Sequence, residues 1–247
     1  MKSDDNSYHR QETPNHKGSK LSLIIPTYNE RDNLPIIIEN IHRILSSTDY
    51  EIIIVDDNSP DGTWAVAEQL SRKFANVKVI RRARKMDLAS AFLQGLIHAE
   101  GKIVGLMDAD LQHPPELLTK MLNEVRIGAD IAIASRYVQG GKVDEWPFHR
   151  RIASRSAIAL AHLLLPKTKP IKDPISGFFL LKKEAIEGLN LSSQGFKILL
   201  EILTKGNYGK VSEIAYTFKP RMRGKSKMRF KELWNYVKHL YRLTKDA

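Results

Sequence analysis

The stretch that decides the fold runs from Ile103 to Gln112 and reads Ile-Val-Gly-Leu-Met-Asp-Ala-Asp-Leu-Gln. Its first five residues form an apolar run typical of a buried strand, and Asp108 and Asp110 follow where such a strand ends. In open parallel sheets the binding crevice lies outside the carboxyl ends of the strands. Oxygen ligands at that edge suit Mg²⁺ or Mn²⁺ beside a nucleotide diphosphate. Alone, an Asp-x-Asp pair fits a solvated turn or a helix cap about as well as a metal site.

Composition limits the classes of protein to which the chain can belong. It has 247 residues, of which 42% are hydrophobic, enough for one sizeable core in a single large α/β domain or a domain with an appendage. The absence of cysteine excludes a disulfide framework, thiolate metal sites and cysteine catalysis. The longest mostly apolar stretch, Ile152 to Leu165, is too short to cross ~30 Å of hydrocarbon. The formal net charge of +11 implies an anionic partner, which could be nucleic acid, acidic lipid or a phosphorylated substrate.

Apolar runs and segments with helical spacing alternate along the first half of the chain. The predicted strands are Leu21 to Ile25, Glu51 to Val55, Val77 to Ile80, Ile103 to Met107 and Asp130 to Ala134. The predicted helices are Leu34 to Leu45, Trp64 to Phe74, Leu88 to Ala99 and Leu117 to Val125. Nearly continuous apolar runs are typical of strands covered on both faces. The pattern predicts an α/β fold, a doubly wound and mostly parallel sheet with helices on both faces and a site at its carboxyl edge.

The second half is less regular. Its predicted elements are a helix from Arg150 to Leu165, a helix near Phe196 to Lys205, a strand near Val211 to Phe218 and a basic segment from Lys219 to Lys227. A last helix, Arg229 to Leu243, has an apolar face made of Phe230, Leu233, Trp234, Val237, Leu240 and Tyr241. We expect this helix to dock on its own domain, and the alternative is an interfacial helix that rests on anionic lipid headgroups. Residues 1–20 are polar and are expected to form a flexible leader.

Four predicted strands end in polar clusters, and their loops are expected to converge on one crevice. Any single cluster fits turn chemistry, because Asp, Asn, Ser, Pro and Gly suit loops and helix caps. Four together argue against a purely structural explanation. The clusters are residues 26–30, 56–63, 108–112 and 135–137.

Six motifs carry a more specific resemblance. They read Pro-Thr-Tyr-Asn-Glu (26–30), Asp-Asp-Asn-Ser-Pro-Asp-Gly-Thr (56–63), Asp-Ala-Asp-Leu-Gln-His-Pro-Pro-Glu (108–116), Ser-Arg-Tyr (135–137), Asp-Pro-Ile-Ser-Gly-Phe (173–178) and Arg-Gly-Lys-Ser-Lys (223–227). In order and spacing they resemble the dolichol-phosphate mannose synthases of glycosyltransferase family 2. The resemblance implies a GT-A, Rossmann-like domain over residues 21–228, followed by a basic amphipathic helix over 229–247. One departure is that Asp87 and Ala89 stand where relatives usually have a Gly-rich stretch, and Asp87 is expected to cap the next helix.

The resemblance also assigns site residues by position. Asp110 and Gln112 would ligate Mg²⁺ or Mn²⁺, and the residues expected to take part in catalysis are Asp110, Arg136, Arg221 and Lys227. Arg136, Arg150 and Ser154 would hold the phosphate of a polyprenyl phosphate acceptor. The set that would bind a GDP-sugar donor is Pro26, Tyr28, Glu30, Val55, Asp57, Asp108, Ala109, Asp110, Gln112, Arg221 and Lys227.

The implied activity is transfer of mannose from GDP-mannose to dolichyl phosphate, with inversion at the anomeric carbon. A phosphate monoester has a second pKa of about 6 and is already largely an anion near neutral pH, so no side chain is needed to deprotonate it. The resemblance further implies a peripheral protein at the cytoplasmic face of a membrane. Either a transmembrane partner or a further C-terminal membrane segment would complete its attachment.

Three alternatives stay open from the residues. The first is a related synthase that uses UDP-glucose or another sugar nucleotide, and the second is a non-catalytic partner subunit, for which the unusual Asp87 loop is the warning sign. The third is a basic nucleic-acid-binding module. It is disfavoured because the acidic crevice would repel phosphates unless a metal is bound, and because the basic residues do not interleave with stacking aromatics. No nucleic-acid partner is therefore expected.

Overall fold

The computed structural model describes residues 20–192, 197–219 and 230–246. Strands and helices alternate strictly up to residue 135, and all of these elements coincide with predicted ones. The strands are β1 (Leu21–Thr27), β2 (Tyr50–Asp56), β3 (Val77–Arg81), β4 (Ile103–Leu106) and β5 (Ile131–Ser135). The helices are α1 (Leu34–Ile44), α2 (Thr63–Lys73), α3 (Leu88–Ile97) and α4 (Leu117–Arg126).

The second half differs from the prediction in three places. Two strands that were not predicted form at residues 142–143 and 179–182, and the strand predicted over 211–218 breaks at Tyr216 into two pieces. The elements are β6 (Lys142–Val143), α5 (Phe148–Leu164), β7 (Phe179–Lys182), α6 (Ile198–Lys205), β8 (Val211–Ala215), β9 (Thr217–Phe218) and α7 (Phe230–Asp246). Short 3₁₀ turns cover Pro166–Thr168 and Lys183–Ile186.

The seven-stranded sheet has the order β3-β2-β1-β4-β7-β5-β8. Its pairs are parallel except at β7, which runs antiparallel to both β4 and β5. Where β7 joins β4, Gly105 lies opposite Leu180, and a Cβ at position 105 would overlap the Leu180 side chain. A glycine in β4 therefore lets the antiparallel strand insert. The predicted mostly parallel α/β sheet is confirmed.

Helices cover both faces of this sheet, as predicted. On one face the core contains the buried sides of α1, α2 and α4, including Ile38, Leu70 and Met121. On the other face it contains α3 and α6, represented by Phe92 and Leu199. The inner strands β1, β2, β4 and β5 are buried on both faces, which accounts for their continuous apolar runs, whereas the edge strands β3 and β8 are only partly buried.

Helix α7 docks on α5 and α6 through a face that differs from the predicted one. Tyr236, Leu240 and Leu243 are buried against residues of α5 and α6, and the Tyr236 hydroxyl donates to the Ala157 carbonyl at 2.7 Å. Trp234, Val237 and Tyr241, which were predicted to share the apolar face, are instead exposed, Trp234 at 61% and Tyr241 at 62%. The helix therefore has two apolar stripes, and the described part of the chain buries one of them. For Phe230 and Leu233 the structure describes the backbone but not the side chains.

His239 also lies on the docked side of α7. Its Nε2 is 3.9 Å from Glu201 Oε2 of α6. Burial lowers the pKa of His239, the Glu201 charge opposes that shift, and the nearby charges of Arg242 and Lys205 reinforce it. Among the described helices, none is both long and apolar enough to cross a membrane.

Candidate active site

The polar loops after β1 and β2 meet at the carboxyl edge of the sheet. The backbone N–H of Asn29 donates to Ser59 Oγ, and that of Glu30 donates to Thr63 Oγ1, both at 3.0 Å. Asn29 and Asn58 adopt left-handed backbone conformations, with φ angles of 62° and 55° respectively. Asparagine tolerates this conformation better than most residues. These turns and cross-bonds hold the two predicted donor-binding loops together.

Asp57, a predicted donor ligand, is fixed by residues from the loop after β3. Its Oδ1 is paired with the buried Arg82 guanidinium, and its Oδ2 accepts the backbone N–H of Met86 at 3.0 Å. Arg82 also donates to Ser90 Oγ in α3. Sequence reasoning gave Arg82 no role, although a charged residue directly after a strand at this edge was a usable signal.

The loop that departs from the Gly-rich pattern therefore lies beside the predicted donor site. Lys85 Nζ lies 3.8 Å from the centroid of the Tyr28 ring, a cation–π contact. Asp87 occupies the N-cap position of α3, as predicted, but its side chain makes no capping hydrogen bond there. Instead the Asp87 backbone carbonyl accepts from Ser90 Oγ at 2.6 Å.

Asp108, Asp110 and Gln112 lie together after β4, as the motif predicted. The backbone N–H of Gln112 donates to Asp110 Oδ1 at 3.1 Å, across a left-handed Leu111, which orients the Asp110 carboxylate. The Gln112 side-chain Nε2 donates to the Lys219 carbonyl at 2.7 Å, which fixes the plane of the amide. Asp110 and Gln112 are 5% exposed, whereas the Asp108 side chain is 35% exposed.

This donor set fits a divalent cation that shares its coordination with substrate. A carboxylate and an amide oxygen are hard ligands of the kind that Mg²⁺ and Mn²⁺ take. Across the described ranges there is no group of three or more His, Asp or Glu side chains placed to hold a metal. Diphosphate oxygens and water would have to supply the remaining ligands.

His113, next to this pair, is a buried aromatic-cluster residue. Its ring lies 5.4 Å from Phe178, 6.0 Å from Tyr216 and 5.8 Å from Phe218, centroid to centroid. Burial lowers the pKa of His113 to about 4, against the opposing charge of Asp110. The imidazole is therefore neutral at physiological pH.

The predicted acceptor residues form a second cluster after β5. Arg150 lies 4.0 Å from the centroid of the Trp146 ring, and the Tyr137 hydroxyl donates to Ser154 Oγ at 2.8 Å. The Arg136 guanidinium lies 5.7 Å from the same Trp146 ring. Arg136, Arg150 and Ser154 are thus linked by two aromatic side chains: Tyr137, which belongs to the Ser-Arg-Tyr motif but was given no role, and Trp146, which the sequence did not single out.

The Arg136 guanidinium already makes two parallel hydrogen bonds to the Asp173 carboxylate. Its Nε donates to Asp173 Oδ2 and its Nη2 to Asp173 Oδ1, both at 2.7 Å, and its backbone N–H donates to Oδ2 at 3.0 Å. Burial alone would lower the Arg136 pKa, but the hydrogen bonds and charge of Asp173 raise it above its usual value. The edge of the Arg136 guanidinium that carries Nε and Nη2 is therefore occupied by Asp173, and a phosphate would have to bind Arg136 through its other N–H groups.

The buried Tyr216 lies between the two clusters. Burial raises the pKa of its phenol, and the residues whose charges also act on that pKa come from both sides of the site: Arg136, Asp173, Asp108 and Asp110. Its ring contacts His113 and Phe218. Charges from the predicted metal edge and from the predicted acceptor cluster therefore act on the same side chain.

Two predicted site residues, Arg221 and Lys227, lie outside the described residues. Their assignment to the donor diphosphate stays a prediction. Lys219, whose carbonyl binds Gln112, is the last described residue before them.

Comparison with known proteins identifies the family. The model of the family described as Glycosyl transferase family 2 matches residues 22–189. The chain belongs to this family. A dolichol-phosphate mannosyltransferase of Pyrococcus furiosus is 52% identical over 226 residues, 92% of this chain. The chain spans only 64% of the length of that relative.

Two further relatives are covered more completely. A dolichol-phosphate mannosyltransferase of Saccharomyces cerevisiae is 36% identical over 90% of this chain and 86% of the relative. A polyprenol monophosphomannose synthase of Mycolicibacterium smegmatis is 38% identical over 83% and 80%. The resemblance expected from the six motifs is confirmed.

Solved structures support the fold of this family 2 member. Mannosyl-3-phosphoglycerate synthase from Rubrobacter xylanophilus superposes with a TM-score of 0.67 at 21% identity, over 92% of this chain and 73% of that one. Glucosyl-3-phosphoglycerate synthase from Mycobacterium tuberculosis, in complex with Mn²⁺, UDP-glucose and phosphoglyceric acid, gives 0.69 at 16% identity, over 94% and 80%. At these identities the similarity concerns the fold alone, and the predicted GT-A architecture is confirmed.

Proposed function

We propose that the chain transfers mannose from GDP-mannose to a polyprenyl phosphate such as dolichyl phosphate, with inversion at the anomeric carbon. The observation that supports this most is that the two clusters share an aromatic side chain: the Phe218 ring lies 5.8 Å from the ring of His113, next to the predicted metal residues, and 5.6 Å from the Arg136 guanidinium. The names of three curated relatives support the same sugar and the same class of acceptor.

On the donor side, we assign the base and ribose of the nucleotide to the loops after β1 and β2. The residues proposed for this pocket are Pro26, Tyr28, Glu30, Val55, Asp57, Asp108 and Ala109. Asp57, held in place by Arg82, offers carboxylate oxygens that can accept from an N–H edge such as that of guanine. Tyr28 offers an aromatic face to the base.

We assign Mg²⁺ or Mn²⁺ to Asp110 and Gln112. The ion, when bound, would neutralise charge that grows on the departing diphosphate, an effect commonly worth several kcal/mol. Crystals of the mycobacterial neighbour were obtained with Mn²⁺, and others with Mg²⁺. Arg221 and Lys227 are proposed to contact the same diphosphate.

The acceptor phosphate is proposed to bind beside Arg136, Arg150 and Ser154. One of its oxygens attacks the anomeric carbon, a new carbon–oxygen bond forms, and the bond to the diphosphate breaks so that GDP leaves. The attacking oxygen is already anionic near pH 7, and the neutral, buried His113 is not needed as a base.

Attachment to a membrane surface is proposed for the exposed stripe of α7. Trp234 and Tyr241 are exposed, and Lys238 and Lys245 lie over their rings at 5.4 and 4.8 Å. Aromatic rings beside lysines suit the headgroup region of an anionic bilayer. The protein would then act peripherally at the cytoplasmic face, with a transmembrane partner or a further membrane segment.

Incubation with radiolabelled GDP-mannose, dolichyl phosphate and Mn²⁺ tests the activity. Label should enter the organic phase, and Asp110→Asn, which keeps an oxygen for the Gln112 N–H, should lower the rate by about 100-fold or more. Glu39→Gln is a matched control, because Glu39 pairs with Lys73 on the surface of α1 and should behave as wild type. No transfer by the wild type would refute the proposal, transfer from UDP-glucose alone would favour the related synthase, and an α-linked product would exclude a single displacement.

A further inference from the structure

The pair of Arg136 and Asp173 is built more rigidly than an ion pair needs to be. Asp173 is fully buried and receives three hydrogen bonds from Arg136, two from the guanidinium and one from the backbone. Removing one partner of such a pair is costly, but the pair itself is weak support for stability, because well-packed apolar residues often replace it at no loss. Its presence beside the acceptor cluster therefore calls for another explanation.

The segment that carries Asp173 is itself tied to the sheet. Glu213 of β8 accepts the backbone N–H of Asp173 at 2.9 Å and that of Lys172 at 2.7 Å. Ser176 Oγ donates to the Ala134 carbonyl of β5 at 2.7 Å. The segment that carries Asp173 is thus held between β5 and β8, and its carboxylate is fixed before any substrate arrives.

We propose that Asp173 is a positioning residue for the acceptor, which acts by fixing the guanidinium of Arg136 in one orientation. This inference rests on the proposed function. The Nε–H and one N–H of Nη2 are used by Asp173, so the donors that Arg136 keeps for the phosphate are the second N–H of Nη2 and those of Nη1, held in one orientation. Asp173 also balances the Arg136 charge, which leaves Arg150, stacked on Trp146, as the main source of positive charge for the acceptor phosphate.

The expected effect of replacing Asp173 follows from its role in orienting Arg136. Without Asp173 the guanidinium keeps its charge but loses two hydrogen bonds that define its orientation, and a charge-assisted bond that is misdirected loses most of its strength. We expect Asp173→Asn to raise the KM for dolichyl phosphate by about 10- to 100-fold, the loss typical of one hydrogen bond to a charged group. The KM for GDP-mannose should change less than about twofold.

A double-mutant cycle in acceptor kcat/KM tests the inference. If Asp173 acts through Arg136, the double variant Asp173→Asn, Arg136→Gln should be no worse than Arg136→Gln alone, because the two effects are not additive. Glu51→Gln is the matched control, since Glu51 is also a buried carboxylate, paired with Ser22 and Lys78, but lies at the amino end of β2, away from the site; it should lower Tm without changing the acceptor KM. Additive losses, or an unchanged acceptor KM in Asp173→Asn, would overturn the inference.

Two further results keep the test decisive. If Asp173→Asn does not fold, Arg136→Lys replaces it: lysine keeps the charge but cannot make two parallel hydrogen bonds, so its acceptor KM should rise as in Arg136→Gln. A wild-type KM in Arg136→Lys would overturn the inference. If the wild type transfers mannose and the variants have a wild-type acceptor KM, the role of Asp173 is refuted but the proposed function is not. If the wild type is inactive, the proposed function itself is refuted.

Discussion

Replacing Gln112 with glutamate should separate metal binding from turnover. In Gln112→Glu the side chain gains a negative charge at the proposed metal site, so Mn²⁺ alone should bind more tightly. The same change replaces the Nε2 donor with an oxygen that faces the Lys219 carbonyl, where the two atoms are now 2.7 Å apart. The contact that joins the metal site to the start of the basic segment would be lost.

The size of the second effect follows from that hydrogen bond. Leaving a partly buried acceptor without its donor costs about 1–3 kcal/mol. If the contact is required in the reactive complex, this cost corresponds to a fall of about 5- to 150-fold in kcat/KM. Turnover should therefore fall although metal affinity rises, a combination that a simple loss of folding would not give.

Calorimetric titration with MnCl₂ and transfer assays at saturating metal measure the two quantities separately. Asp110→Asn is the mirror variant, because it removes a charge but keeps the acceptor for the Gln112 N–H, and it should weaken Mn²⁺ binding while leaving the Tm unchanged. Weaker Mn²⁺ binding by Gln112→Glu would refute the metal assignment. Unchanged turnover would refute the role of the Lys219 contact.

Three other predictions concern stability and the membrane face. Gly101→Ala should destabilise the protein by about 1–3 kcal/mol in urea unfolding, because the new Cβ would lie 2.8 Å from the backbone nitrogen of Ser22, and wild-type stability would contradict that packing. Stability should fall as pH drops below about 6.5, since the lowered pKa of His239 means that the unfolded chain takes up this proton at a higher pH than the folded one. The Tm of His239→Gln should therefore fall less steeply between pH 7.5 and 5.5, and a slope identical to that of the wild type would exclude this contribution. Trp234→Ala should weaken binding to anionic vesicles without loss of stability, whereas Leu240→Ala should cost about 2–5 kcal/mol, and equal vesicle binding by Trp234→Ala and wild type would contradict the proposed face.

The first half of the fold could be predicted from sequence because every strand there except the edge strand β3 is buried on both faces, and each helix has one apolar stripe. Periodicity alone then specifies the element type. β7 was missed because its four residues, Phe179 to Lys182, are few and contain no β-branched side chain, so neither length nor propensity distinguished them. The orientation of α7 could not be read either, since the helix has two apolar stripes and only the surface of α5 and α6 decides which is buried.

The site shows the same division between local and distant information. Motif positions brought Asp57, Asp110 and Gln112 to one edge, because strand ends in a parallel sheet must meet there. What each side chain can do depends instead on contacts with residues far away in sequence: Arg82 on Asp57, Asp173 on Arg136, and the Lys219 carbonyl on Gln112. These partners fix the orientation of the Asp57 carboxylate, the Arg136 guanidinium and the Gln112 amide. A substitution at one of these partners should therefore alter substrate binding as selectively as a substitution at the motif residue it holds.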